Sequence, residues 1–106
     1  MRQLAAPDLR DWLAKAPEPV TLLDVREPWE YALCRIDGSL HVPLGQLPSR
    51  LAELDPARTT VVICHHGMRS LHAGAFLKRQ GFANVVNLSG GIDGWARTVD
   101  PAMAVY

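Results

Sequence analysis

Three short apolar runs constrain this chain most: Val20-Thr21-Leu22-Leu23, Val61-Val62-Ile63 and Val85-Val86. Each is continuously apolar and rich in β-branched residues, the pattern of strands buried on both faces of a parallel sheet. Helical spacing appears between and around them. Leu9, Trp12, Leu13 and Ala16 follow i, i+3, i+4, i+7, with Asp8 and Asp11 near the start, Lys15 near the end and Pro17 as a stop. A second stripe, Ala73, Gly74 and Leu77, predicts a helix over 68–80. Lys78 and Arg79 occupy its last turn, and Gly81 then Phe82 read as a C-cap with its apolar contact. Shorter helices are expected over 28–33, 47–53 and 92–97, the second with Pro48 in its first turn. Strand–helix alternation of this kind predicts an open α/β sheet with helices on both faces.

The chain of 106 residues is one domain by size, 1–106, with 48% hydrophobic and 21% charged residues, enough for a core without staples. Its size argues for a monomer. Eleven basic residues balance eleven acidic ones, so no nucleic-acid footprint and no membrane-surface patch are expected. No apolar run reaches membrane-spanning length, and the opening residues do not read as a signal peptide. Two cysteines, Cys34 and Cys64, do not make a secreted disulfide framework. A cytoplasmic, reducing location is the expectation, and it keeps a reactive thiol available.

In open α/β sheets the reactive site lies beyond the carboxyl ends of the strands. The segment that meets this condition is Cys64-His65-His66-Gly67-Met68-Arg69-Ser70, between the central run and the second helix. A cysteine at a helix N-terminus meets amide N–H groups that have no helical partner. The helix dipole and the positive charge of Arg69 both favour thiolate over thiol. A buried structural cysteine is the commoner fate of a lone thiol, but it needs neither the flanking Gly67 nor an arginine fork. Cys64 is therefore the candidate nucleophile. Gly67 reads as a point where the backbone turns with positive φ or approaches an anion closely. His65 and His66 next to Cys64 raise a metal reading, but consecutive residues rarely aim three ligands at one ion, and no partner pair stands at ligand spacing. No metal and no cofactor are expected. Asp24, Arg26 and Glu30 are read mainly as loop ties through ion pairs, and Trp95 as a core aromatic next to a glycine turn. His41 and His72 have no motif around them.

The chain resembles the rhodanese-like sulfurtransferases along nearly its whole length. Four stretches carry the likeness: Leu23-Asp24-Val25-Arg26-Glu27 with Glu30-Tyr31, Ile36-Asp37-Gly38-Ser39, the 64–70 loop, and Gly90-Gly91-Ile92-Asp93-Gly94-Trp95. The resemblance implies a five-stranded parallel sheet and a persulfide on Cys64. It also implies that the amides of His65, His66, Gly67, Met68, Arg69 and Ser70 cradle the bound sulfur or oxyanion. The implied activity takes sulfur from a small anionic donor such as thiosulfate to cyanide, a thiol or a protein. A non-turnover persulfide carrier or docking module is the alternative. Phosphatase or arsenate-reductase chemistry is disfavoured by spacing, since Cys64-x4-Arg69 is one residue shorter than the Cys-x5-Arg of cysteine phosphatases. The family commonly has Gly-His where this chain has Cys34-Arg35, which adds a second thiol.

Overall fold

The computed structural model describes every residue, Met1–Tyr106. Five parallel strands form one sheet: β1 (Arg2–Ala5), β2 (Thr21–Asp24), β3 (Leu40–His41), β4 (Thr60–Ile63) and β5 (Val85–Ser89), in the order β1-β5-β4-β2-β3. Four α-helices accompany them: α1 (Ala6–Lys15), α2 (Pro28–Leu33), α3 (Met68–Arg79) and α4 (Gly91–Thr98). The expected segment 47–53 is instead a 3₁₀ helix, Pro48–Glu53, preceded by another at Leu44–Gln46. No helix is long and apolar enough to cross a membrane.

The three apolar runs are β2, β4 and β5. β4 is the centre of the sheet and all four of its residues are buried, which is why its sequence is apolar without alternation. Side chains still alternate in direction. Val61 and Ile63 join Ala6, Leu9, Ile92 and Trp95 in a core on the α1/α4 face. Val62 and Cys64 join Leu23, Ala73, Leu77 and Phe82 on the α3 face. Helices thus cover both faces, as expected, and Trp95 is a buried core residue. The edge strands β1 and β3 escape the sequence pattern. They are short, and neither carries a fully buried residue.

Helix α3 ends as its sequence announces. Gly81 adopts φ +91°, its N–H bonds Lys78 O at 3.1 Å, and Phe82 N–H bonds Leu77 O at 3.1 Å. That is a Schellman closure, and Phe82 is buried against the α3 face. Helix α1 stops at Lys15, two residues before Pro17. Strands β2 and β4 are neighbours, pairing Leu23 with Val62 and Asp24 with Ile63, so the segments that follow them meet at one end of the sheet.

Candidate active site

Cys64 follows β4 directly and is 1% exposed. The chain then turns through Gly67, at φ +104°, which is the N-cap of α3. A Cβ at Gly67 would also stand 3.3 Å from Gly90 N and Leu88 O, so both the turn and the space require glycine. Gly67 N–H donates to Cys64 Sγ at 3.0 Å. The first amides of α3 have no intrahelical acceptor, and the positive end of the helix dipole lies in the same region. An amide donor on sulfur and a helix start beside it thus face Cys64 from the α3 side.

A buried polar relay stands behind the thiol. Ser70 Oγ lies 3.3 Å from Cys64 Sγ and donates to Asn87 Oδ1. Asn87, 1% exposed on β5, donates through Nδ2 to Gly67 O and to Gln3 Oε1, both at 3.2 Å. The Gly67 carbonyl on the nitrogen side, which can only accept, settles which way the amide points, so Ser70 must supply its only proton to Asn87. Ser70 oxygen therefore meets the thiol as an acceptor, and Gly67 N–H is the donor to sulfur. A lone asparagine inside the run Val85–Ser89 is the sequence signal for this relay, because a buried amide demands partners.

The other side of the loop is held by α4. Ile92 N–H donates to Cys64 O at 2.8 Å and Asp93 N–H to His65 O at 3.1 Å. In a planar trans peptide the C=O and the following N–H point in opposite directions. Tying these two carbonyls to α4 therefore turns the N–H groups of His65 and His66 away from α4. Gly91 makes the approach possible, since a Cβ there would sit 2.3 Å from His65 O and 2.5 Å from Cys64 O.

Arg69 has a partner of its own. Its guanidinium is not an open fork at the loop: it pairs with Glu30, Nη1 to Oε1 at 2.6 Å and Nη2 to Oε2 at 2.8 Å. Both oxygens of the carboxylate are engaged, and geometry of this bidentate kind is the strong form of the interaction. The sequence marks Glu30 as a loop tie but does not identify Arg69 as its partner. Glu30 also accepts the N–H of Glu27 at 2.9 Å, closing a capping box on α2, and the hydroxyl of Tyr106 at 2.6 Å. Arg69 holds the Glu30 carboxyl down at about 2 against the opposing effect of burial. The same contacts push Arg69 above its usual value, the Glu30 bond first. Burial, then the bond to Glu30, pushes the Tyr106 hydroxyl up to about 12.

Because the Glu30 value in the fold lies below its ordinary 4.5, the pairing stabilises fully above that pH and fades as pH falls towards about 2. Glu30→Gln is expected to cost about 2–3 kcal/mol at neutral pH, read by urea unfolding, with the gap to the parent narrowing below about pH 4. A gap that stays constant from about pH 7 to about pH 2.5 contradicts the assignment.

Asp24 and Arg26 form a buried pair, 2.8 Å between Arg26 Nη2 and Asp24 Oδ2, in accord with a role as loop ties. Arg26 also donates to Cys34 O at 2.6 Å and stands 3.7 Å from Cys34 Sγ. Cys34 is buried in the core of the α1/α4 face, whereas Cys64 belongs to the α3 face, and both thiols are free. His41 Nε2 lies 2.7 Å from Arg26 O and its ring stacks on Tyr31. His66 Nδ1 is 3.9 Å from Asp93 Oδ2. The His65 ring lies between those of His66 and Tyr106, each at 3.9 Å between centroids. Burial first, then neighbouring His66, lowers the His65 value, so its imidazole is neutral at neutral pH.

The sequence model of the rhodanese-like domain matches residues 5–98. A probable adenylyltransferase/sulfurtransferase of Mycobacterium tuberculosis is 41% identical over 101 residues, which cover 93% of this chain and only 26% of that protein. The chain thus spans about a quarter of that larger relative. A thiosulfate sulfurtransferase of Pseudomonas paraeruginosa is 40% identical over 81 residues, 76% of this chain and 73% of the relative. Among solved structures, a rhodanese-related protein of Thermoplasma volcanium superposes with a TM-score of 0.83 at 34% identity, covering 93% of this chain and 94% of that one. With the five-stranded parallel sheet and the strand–cysteine–helix junction in place, this chain belongs to the rhodanese-like domain family.

Proposed function

We propose that the protein transfers a sulfane sulfur through a persulfide on Cys64. The observation that carries this reading is the position of Cys64 Sγ at the carboxyl end of β4, accepting Gly67 N–H at 3.0 Å at the start of α3. In the first step the thiolate attacks the outer sulfur of an anionic donor such as thiosulfate. The Cys64 sulfur–sulfur bond forms, the donor's sulfur–sulfur bond breaks, and sulfite leaves with the bonding pair. In the second step cyanide, a thiol or a protein acceptor attacks the outer sulfur, and the Cys64 thiolate is released. Each step exchanges one bond for another, with no net oxidation and no demand for a metal. Amides of residues 65–70 stabilise the negative charge that accumulates at the loop, as in an oxyanion hole. Thiosulfate is favoured as donor by the likeness to a thiosulfate sulfurtransferase.

The two larger hollows, of about 400 and 410 Å³, are lined by Met1, Arg2, Trp12 and neighbours, and by Val20, Leu40, Arg58 and neighbours. Neither includes a residue of the 64–70 loop. A monomer that passes sulfur to a thiol or protein acceptor in the cytoplasm fits the same chemistry, since release of the outer sulfur needs only a thiophilic nucleophile.

The testing experiment incubates the protein with thiosulfate and follows both intact mass and steady-state thiocyanate formation with cyanide. Gain of one sulfur atom on the Cys64 peptide, together with turnover, supports the enzyme. Sulfur gain without turnover identifies a carrier, and no sulfur gain removes the proposal. Aryl phosphates are expected to show no turnover above a Cys64→Ser background, because the loop from Cys64 to Arg69 is one residue shorter than a phosphatase loop and its arginine is engaged by Glu30. Phosphatase activity that depends on Cys64 overturns this.

A further inference from the structure

The family match ends at residue 98, yet a side chain beyond it reaches the loop. After α4 the chain turns at Asp100, with Met103 N–H on Asp100 O at 3.0 Å, and runs on without regular structure to Tyr106. The Tyr106 hydroxyl donates to Glu30 Oε2 at 2.6 Å and accepts from Arg26 Nη1 at 3.0 Å. Its ring lies on that of His65 at 3.9 Å, with 8° between the planes, and meets Trp29 edge-on at 5.5 Å.

These contacts single out Tyr106 among the groups around the loop. Cys64 and His65 carbonyls are held by α4, Gly67 by Asn87, and Arg69 by Glu30. No other side chain bonds the His65 imidazole, and the Tyr106 backbone beside it acts against the lowering by burial. The buried Nε2 of His65 has no hydrogen-bond partner, and its ring meets Tyr106 and His66. His66 is itself exposed and comes from the same loop, so Tyr106 is the packing partner of His65 that comes from another part of the chain. Tyr106 thus touches the second residue of the loop directly, and reaches Arg69 at its far end through Glu30.

We infer that Tyr106 is a positioning residue for sulfur transfer: it clamps the Cys64–Arg69 loop at both ends, through the His65 stack and through Glu30. The inference rests on the sulfur-transfer reading above for its effect on turnover, but not for its effect on the loop. Loop amides must converge on a small anion, and a displacement of about 1 Å at such a site costs up to about a hundredfold in rate. The ring and the hydroxyl contribute separately, because one acts on His65 and the other on Glu30 and Arg26.

The experiment compares Tyr106→Ala and Tyr106→Phe in the full chain. Amide hydrogen exchange reads the loop independently of any activity. Exchange of the 65–70 amides is expected to rise about tenfold in Tyr106→Ala while β4 and β5 keep the parent rates, and to rise less in Tyr106→Phe, which retains the stack. Turnover is measured well below each variant's unfolding temperature. Tyr106→Ala is expected to lower kcat/KM for thiosulfate about tenfold, mainly through kcat, because the displaced loop amides no longer converge on the charge that accumulates during reaction. Tyr106→Phe is expected to recover most of that loss. Parent-like exchange in the 65–70 amides of Tyr106→Ala overturns the clamp whether or not the protein transfers sulfur. Faster exchange throughout the sheet assigns Tyr106 to general stability and also overturns it. Absence of turnover in the parent itself counts against the sulfur-transfer reading and leaves exchange to decide the clamp.

Discussion

Cys64→Ser is expected to reduce sulfur transfer by at least about a thousandfold, since loss of a covalent nucleophile leaves only residual binding effects. Serine keeps the shape of the site. Its hydroxyl can accept Gly67 N–H and lie against Ser70 as the sulfur does, so the side chain, 1% exposed in the parent, remains satisfied. What disappears is the polarizable sulfur, and with it the proposed site for a second sulfur atom. Unfolding temperature should therefore change by only a few degrees while activity vanishes. Cys34→Ser is the matched control. Its thiol lies in the opposite core beside Arg26, which makes its short bond to the Cys34 carbonyl and not to the sulfur. Most activity should survive. Equal loss in the two variants, measured as thiocyanate formation per folded molecule, contradicts the assignment of Cys64 as nucleophile.

Gly91→Ala is expected to be the most destabilising single methyl in the chain, at about 3 kcal/mol or more. Two effects add. The residue has φ +61°, which by itself costs an L-residue roughly 1–2 kcal/mol. The new Cβ would also lie 2.3 Å from His65 O and 2.5 Å from Cys64 O, both backbone atoms that cannot swing aside. Relief requires α4 to withdraw, which breaks the bonds from Ile92 and Asp93 to the loop carbonyls. Activity should fall with stability, because those bonds orient the loop peptides. Gly81→Ala isolates the first effect: φ is +91° but no atom lies within 4 Å of the added Cβ. It should cost only about 1–2 kcal/mol and leave turnover intact. Urea unfolding that ranks Gly81→Ala as the costlier substitution refutes the steric account.

The parts of the fold legible in the sequence share one property: their local pattern is forced by burial or by backbone geometry. β4 has to be apolar throughout because it is central, and its neighbours β2 and β5 carry the same mark. The end of α3 is written in Gly81-Phe82, and the turn into it in Gly67, because φ values of +91° and +104° select glycine. Strand, cysteine and helix follow one another directly in the chain, so the residue order alone locates Cys64 at their junction. The edges are hidden. β1 and β3 bury too little to show a period, and the segment over 47–53 tightens to a 3₁₀ helix whose apolar spacing resembles an α-helix over so short a run.

The sequence by itself determined the α/β architecture, the place of Cys64 at a strand–helix junction and the glycine turns, since each depends on residues adjacent in the chain. Tertiary structure alone decided who partners whom around that cysteine. Arg69 lies 39 residues from Glu30, and Tyr106 lies 76 residues from it. A cation close in sequence to a thiol looks free until the fold brings a carboxylate to it, and here the adjacency of β2 and β4 does so. Asn87 is 17 residues from Ser70 and is joined to it by the adjacency of β4 and β5. Hydrogen-bond donors and charges act over a few ångströms in space, whatever their separation in the chain. Pairings of this kind are therefore set by strand order, which no local period encodes.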